Sequence, residues 1–159
     1  MKKFLLMGLV SAMCWMSVAQ AADAGAPRFE DFAVNNTFEG KAAKVRLVSA
    51  DDKEYATRIR EASRQKPNFA GHYVLASWGC GASCVSTVVI DAKTGRVTWL
   101  PFTVCCWDVD VQEPIEFRRD SRLLVVHGSR NEEGGGTYYY ALDKDSFKLV
   151  KAVEKAAEN

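Results

Sequence analysis

The chain lacks a charge imbalance, and beyond its first residues it lacks any long apolar run. Lys and Arg together number 21 against 20 Asp and Glu in 159 residues. No basic block is present that could neutralise a row of phosphates, so nucleic acid is not an expected partner. No cationic amphipathic segment offers itself to a membrane surface either. Histidine is scarce: His72 and His127 are the only two, which leaves little for a histidine-rich metal cage or a conventional relay. The one sustained apolar stretch, Phe4 to Val18, is shorter than the ~20 residues that cross a bilayer.

That stretch has another meaning. Lys2 and Lys3 precede it, and the small-residue patterns Ala19-Gln20-Ala21 and Ala22-Asp23-Ala24 follow it, which is the build of a secretory signal over residues 1–21. Ser11, Ala12 and Met13 before Cys14 fit a lipoprotein box poorly. Removing 21 of the 159 residues leaves 138, enough for one ordinary core. Without Lys2 and Lys3 the 21 basic residues fall to 19 against 20 acidic. The expected product is exported, periplasmic or secreted, with no membrane insertion after cleavage. Residues 22–43 read as an extended lead-in whose Phe29, Phe32 and Phe38 dock on a single β-rich domain, residues 44–159.

Within that domain, "KVRLVS" (44–49) alternates as a first strand should. Ser49 and Asp52 have capping-box spacing. Tyr55, Ile59 and Ala62 recur at helical intervals, which predicts a helix over 50–65 ended by Pro67. Lys53, Arg58, Arg60, Glu61 and Arg64 make its solvated face. From there the pattern is β. "HYVLASW", "VSTVVID" and "RVTWLPF" read as three strands, with a tight turn at "AKTG". "SRLLVVHG", "TYYYALD" and "KLVKAV" repeat the arrangement, with "SRNEEGGG" as a glycine-rich loop and a second Asp-turn at Asp143, 52 residues after Asp91. This doubled unit resembles the blades of β-propellers. Two units cannot close a propeller. The expected fold class is α+β, mainly β: a twisted antiparallel sheet, or two packed sheets, from two blade-like meanders, with one N-terminal helix on a face.

Cysteine carries the next inference. After Cys14 leaves with the signal, Cys80, Cys84, Cys105 and Cys106 remain, an even number in an oxidising compartment, which predicts two disulfides. Placing Asp91 opposite Arg96 brings Cys84 to face Thr103 and residues 80–82 to face 105–107, so all four sulfurs gather at one end of a hairpin. Three pairings are possible, and crossed bridges and local Cys80–Cys84 both stand open. A Cys₄ zinc site would want two separated C-x₂₋₄-C pairs, and adjacent Cys105-Cys106 does not supply one. No metal and no cofactor is expected.

Other residue types offer less. His72 with Cys80 or Cys84 would be the corner of a thiol-dependent hydrolase or redox enzyme. His127, inside "LLVVHG", reads as a hydrogen-bonded, half-buried residue. Asp108 and Asp110 alternate along an extended segment near Glu113, as a solvated edge would. Tyr138 and Tyr140 share one strand face and Tyr139 takes the other, so one set is core. Trp78, Trp107, His72 and Tyr139 are the candidate binding surface, because exposed aromatics beside a fixed loop make interface anchors, with the tryptophans packed over a disulfide as plain core the equal alternative.

The segment "NFAGHYVLASWGCGASC" (68–84) followed by "IDAKTGRV" is similar to a group of small exported bacterial proteins that share an N-F-A-G-H-Y strand, a W-G-C-G-x-x-C corner and a D-A-x-T-G turn. The resemblance covers roughly residues 44–100. It implies export and a disulfide at the corner, and brings no activity or functional residue with it. The functional expectation is a small periplasmic binding module, of inhibitor or immunity type, whose partner is another envelope protein. A thiol enzyme at the Cys80/Cys84/His72 corner and an envelope structural protein are the alternatives.

Overall fold

The computed structural model describes residues 25–155; the signal segment expected at 1–21 lies outside them. One turn of 3₁₀ helix, Phe29–Phe32, opens the described chain. Two short helices follow, α1 (Ala50–Glu54) and α2 (Ala56–Ala62). Eight strands complete it: β1 (Tyr73–Gly81), β2 (Cys84–Asp91), β3 (Val97–Trp99), β4 (Val104–Cys105), β5 (Ile115–Phe117), β6 (Leu123–Arg130), β7 (Glu133–Asp143) and β8 (Ser146–Glu154). They form one antiparallel sheet in the order β1-β2-β4-β6-β7-β8, with β3 also on β2 and β5 also on β6. The fold is therefore α+β and mainly β, as the alternation predicts.

Within the sheet the two meanders, β1–β2–β3 and β6–β7–β8, are joined through two-residue β4, which pairs Cys84↔Cys105 on one side and Cys105↔Ser129 on the other. Away from that junction β3 continues on β2 and β5 on β6, so the sheet branches there. A single apolar cluster then draws Leu75 and Val89 from the first meander and Leu124, Val126, Tyr138 and Tyr140 from the second. Phe69, wholly buried, plugs it and meets Phe117 edge-on at 6.2 Å. Burying a phenylalanine is worth about 1.5–3 kcal/mol.

The opposite face of the first meander is covered by the helices. Ile59 and Ala62 are buried against Val74, Trp78, Val88 and Ile90, with Tyr55 on their flank. The capping box forms: Asp52 N–H donates to Ser49 Oγ at 3.0 Å, and Asp52 Oδ2 accepts from the N–H groups of Ser49 and Val48 at 3.0 and 2.8 Å. Asp52 Oδ1 also accepts from Trp99 Nε1 at 2.9 Å, tying the helix start to β3. The expected single helix is broken at Tyr55, whose backbone (φ −94°, ψ 20°) leaves the helical region.

Three sequence expectations are corrected. Residues 44–49 form no strand; they make one isolated parallel bridge, Arg46↔Arg96, because they pass over the β2–β3 turn, where the carbonyl of Lys44 comes within 2.1 Å of the place a Cβ on Gly95 would occupy. The glycines of "NEEGGG" are strand, not loop. Asn131 and Glu132 (φ 54° and 65°) make the tight turn, and Gly136 (φ 151°) lets β8 approach so closely that a Cβ would meet Val153 O at 2.2 Å. Asp108 and Asp110 lie in a turn closed by Val111 N–H to Asp108 O at 3.0 Å, so they do not alternate along a strand. The lead-in does dock: Ser121 Oγ donates to Phe29 O at 2.7 Å, and Arg118 stacks on the Phe29 ring at 4.5 Å while pairing with Glu30.

Candidate functional site

Antiparallel order sends both Asp-turns to one pole of the molecule and both hairpin tips to the other. The "NFAGHY" segment builds the first pole. Asn68 Oδ1 accepts from Leu75 N–H at 2.7 Å and Asn68 Nδ2 donates to Leu75 O at 3.0 Å, so one amide side chain stands in for a missing neighbour on the edge of β1. Ala70 and Gly71 take positive φ (45° and 78°), and their N–H groups donate to Ser121 O and Arg119 O. A Cβ on Gly71 would meet Asn36 O at 2.4 Å, which is how tightly the lead-in presses on this corner.

Between the corner and the two turns lies a groove of about 570 Å³, within the range of ligand sites. His72 and Tyr73 form its wall. Lys93 enters from the first Asp-turn, Lys144 from the second, and Arg122 from the start of β6. The turns are clamped by an Arg96–Asp145 ion pair. Tyr73 Oη donates to Lys144 O at 3.0 Å, fixing the second lysine's backbone. Arg122 Nη1 donates to Leu142 O at 3.0 Å.

No carboxylate lines the groove. Two carboxylates flank it. Asp143 is paired with Lys148, which holds it low together with the charges of Lys144 and Arg122. Asp91 has its oxygens taken by Lys93 N–H and Thr94 Oγ1, both at 2.8 Å, and lies 3.9 Å from His72 Nε2. Burial, and then the charge of Lys93, push His72 below its ordinary 6.5, against the pull of Asp91 and of a backbone hydrogen bond at Ala70. The imidazole is thus neutral at pH 7. Tyr73 is pushed up to about 12, first by burial and then by Asp91 and Asp145, so it remains a phenol donor.

The cysteine pole is organised differently from the expectation of two bridges. Cys84 and Cys105 are bonded to each other, while Cys80 and Cys106 are exposed thiols. The register explains the choice. Asp91↔Arg96 spacing holds through Val88↔Trp99 and the Leu100 N–H to Thr87 O bond, but residues 101–103 then bulge away, and β4 resumes two residues later with Cys84 opposite Cys105 rather than Thr103. Glu132 Oε1 comes to 4.0 Å of Cys84 Sγ. The two sulfurs nearest it are spent on one another and hold no thiolate for an ion.

The candidate binding surface also changes. Trp78 is buried (7% exposed), stacked near Tyr55 and edge-on to Trp99, each at 5.5 Å, so it is core under the helix and not an anchor. Trp107 is half-buried against the shared core. Tyr139 is half-buried on the outer face of β7, while Tyr138 and Tyr140 are the buried pair. His72 stands at the Asp-turn end of β1, about 25 Å of strand from Cys80 at 3.3 Å per residue. His72 therefore belongs to the groove and to no thiol. Lys93, Arg122 and Lys144 were not singled out by the sequence reading; the signal that could have found them is the repeat itself, which sets a lysine in each Asp-turn.

No family model, curated protein or solved structure matches the chain. Among the described residues no helix is long and apolar enough to cross a membrane.

Proposed function

We propose that this protein is a small exported binding module, of inhibitor or immunity type, whose groove takes an acidic segment of another envelope protein. The observation that carries the reading is a cleft whose lining holds Lys93, Arg122 and Lys144, while the flanking Asp91 and Asp143 are engaged by Thr94 and Lys148. Three cations around a concave surface attract and orient an anion, and their fields add where water is partly excluded. Tyr73 and Asn36 supply neutral polar edges for the backbone of such a segment. Export is supported by the lysine-led apolar stretch at the start of the chain and by a disulfide. The aromatic anchors expected at the cysteine pole give way to a charged seat at the opposite one.

The test is titration of a labelled Asp/Glu-rich peptide by fluorescence anisotropy at low salt. Wild type should bind, and Lys93→Glu with Lys144→Glu should weaken binding at least ~10-fold, since a like charge replaces each attraction. Affinity should also rise as pH falls below 6.5. Burial, and then Lys93, hold His72 below its ordinary value against the opposing Asp91, and once protonated it adds a positive charge beside Lys93, Arg122 and Lys144. Equal binding by wild type and the double variant would remove the groove from the account.

A further inference from the structure

We propose that the cleft between the start of the helical segment and the 101–103 bulge binds a neutral saccharide, at a site separate from the cationic groove. The cleft holds about 350 Å³, within the range of small-ligand sites. Its origin is the same two-residue slip that selects the bonded sulfurs. Thr87 O accepts from Leu100 N–H at 2.9 Å, Val85 pairs with Val104, and between those points residues 101–103 leave β2. Ser86 of β2 is thereby opened to a cleft that the bulged Phe102 and Thr103 also line. The helical segment supplies Asp51 and Tyr55, β3 supplies Trp99, and the β6–β7 turn supplies Asn131.

Two kinds of group meet here. Tyr55, Trp99 and Phe102 are half-buried rings. Each is held in place by a neighbour. Tyr55 meets Trp99 edge-on at 5.5 Å, Trp99 Nε1 donates to Asp52 Oδ1 at 2.9 Å, and Phe102 lies tilted on Tyr140 at 5.1 Å. The polar groups are partly fixed and partly open. Asn131 N–H donates to Thr103 O at 3.0 Å, and Asn131 Oδ1 accepts from Thr103 N–H at 2.9 Å. That bond orients the amide and leaves Nδ2, with its two donors, unpartnered among the described residues. The Ser86 hydroxyl and the Asp51 carboxylate also have no side-chain partner among the described residues.

The lining selects the ligand class. Among the described residues no lysine, arginine or histidine borders this cleft, so an acidic segment finds no counter-charge in it. Only one carboxylate is present, and the other polar side chains are neutral hydroxyls and an amide, which suit several hydroxyls better than one cation. A sugar ring has two surfaces that answer the two kinds of group. Its polarised C–H face rests on the electron-rich face of an aromatic ring. Its hydroxyls, each a donor and an acceptor, match the serine hydroxyl, the asparagine amide and the carboxylate.

The experiment titrates the isotope-labelled exported chain with chitotriose, cellotriose and maltotriose, and follows the Trp99 indole N–H and the Asn131 side-chain amide by NMR. At least one trisaccharide should shift both signals saturably. Phe102→Ala should weaken that binding by ~10-fold through loss of a ring face, and Ser86→Ala and Asp51→Asn by ~3-fold each through loss of one hydrogen bond. Lys93→Glu with Lys144→Glu should leave it unchanged, which separates this cleft from the groove. If Phe102→Ala fails to fold, Ser86→Ala and Asp51→Asn, which remove no core atoms, decide. The absence of a saturable shift with all three sugars would overturn the proposal, as would binding that the variants leave unaltered. A shift produced by tetramethylammonium and by none of the sugars would assign the cleft to a cation instead.

Discussion

The two meanders share one strand grammar and are treated differently by the rest of the chain. The first is covered on both faces, by the shared core on one side and by α1 and α2 on the other. The second is covered on one face only. Its outer face carries Tyr139 and the hydrogen-bonded run Glu116–His127–Thr137 where the first meander has Trp78, Trp99 and Ile90. A duplicated β-unit is thus buried on both faces in one copy and left with a polar outer face in the other, and the difference comes from what the N-terminal segment covers. The poles divide in the same way: both Asp-turns contribute lysines to the groove, and both hairpin tips crowd the sulfurs.

The largest effect should come from breaking what the meanders share. Phe69→Ala empties a fully buried site in the common core, and ~3–5 kcal/mol of stability should be lost. In chemical denaturation both meanders should unfold together, as seen by hydrogen exchange across β1–β2 and β6–β7.

A smaller loss should follow from cutting the junction. Cys84→Ser with Cys105→Ser removes a bridge across 21 residues of chain, worth about 3 kcal/mol in the chain-entropy account. Exchange at β4 should accelerate before that in either meander. Uniform acceleration throughout the sheet would show that the two units are not separable.

The smallest effect should stay within the first meander. Asp52→Ala leaves the N–H groups of Val48 and Ser49 and the indole of Trp99 without their acceptor, at a cost of about 2 kcal/mol. Burial raises Asp52, but the four hydrogen bonds outweigh it and hold the carboxyl below its ordinary 3.8. A depressed carboxylate contributes fully above the unfolded value and loses that contribution as pH falls through the folded one. The gap between wild type and Asp52→Ala should therefore be constant near neutrality and narrow below about pH 4. A gap that widens in acid would contradict the hydrogen-bond account.

Local patterns made much of the fold legible. Ser49 and Asp52 announce the cap, and Tyr55, Ile59 and Ala62 give the buried face of the helix. Tyr138 and Tyr140 separate from Tyr139 by strand parity. The four cysteines gather as the hairpin requires. The site was harder to read. Lys93, Arg122 and Lys144 are ordinary surface residues in sequence, and Trp78 looks like an anchor until the helix is seen to lie on it.

Periodicity and turn chemistry act over a few residues, so the amino-acid order alone determined the elements, their facing and the doubling of the β-unit. Tertiary structure decided the rest, because it depends on register between distant segments. A two-residue slip after Trp99 chose which sulfurs bond. Contacts between the meanders, Arg96–Asp145 and Tyr73–Lys144, put two Asp-turns beside one groove. A glycine at 128 let Cys105 and Trp107 press on β6, and no local signal encodes the distance between residues that far apart in the chain.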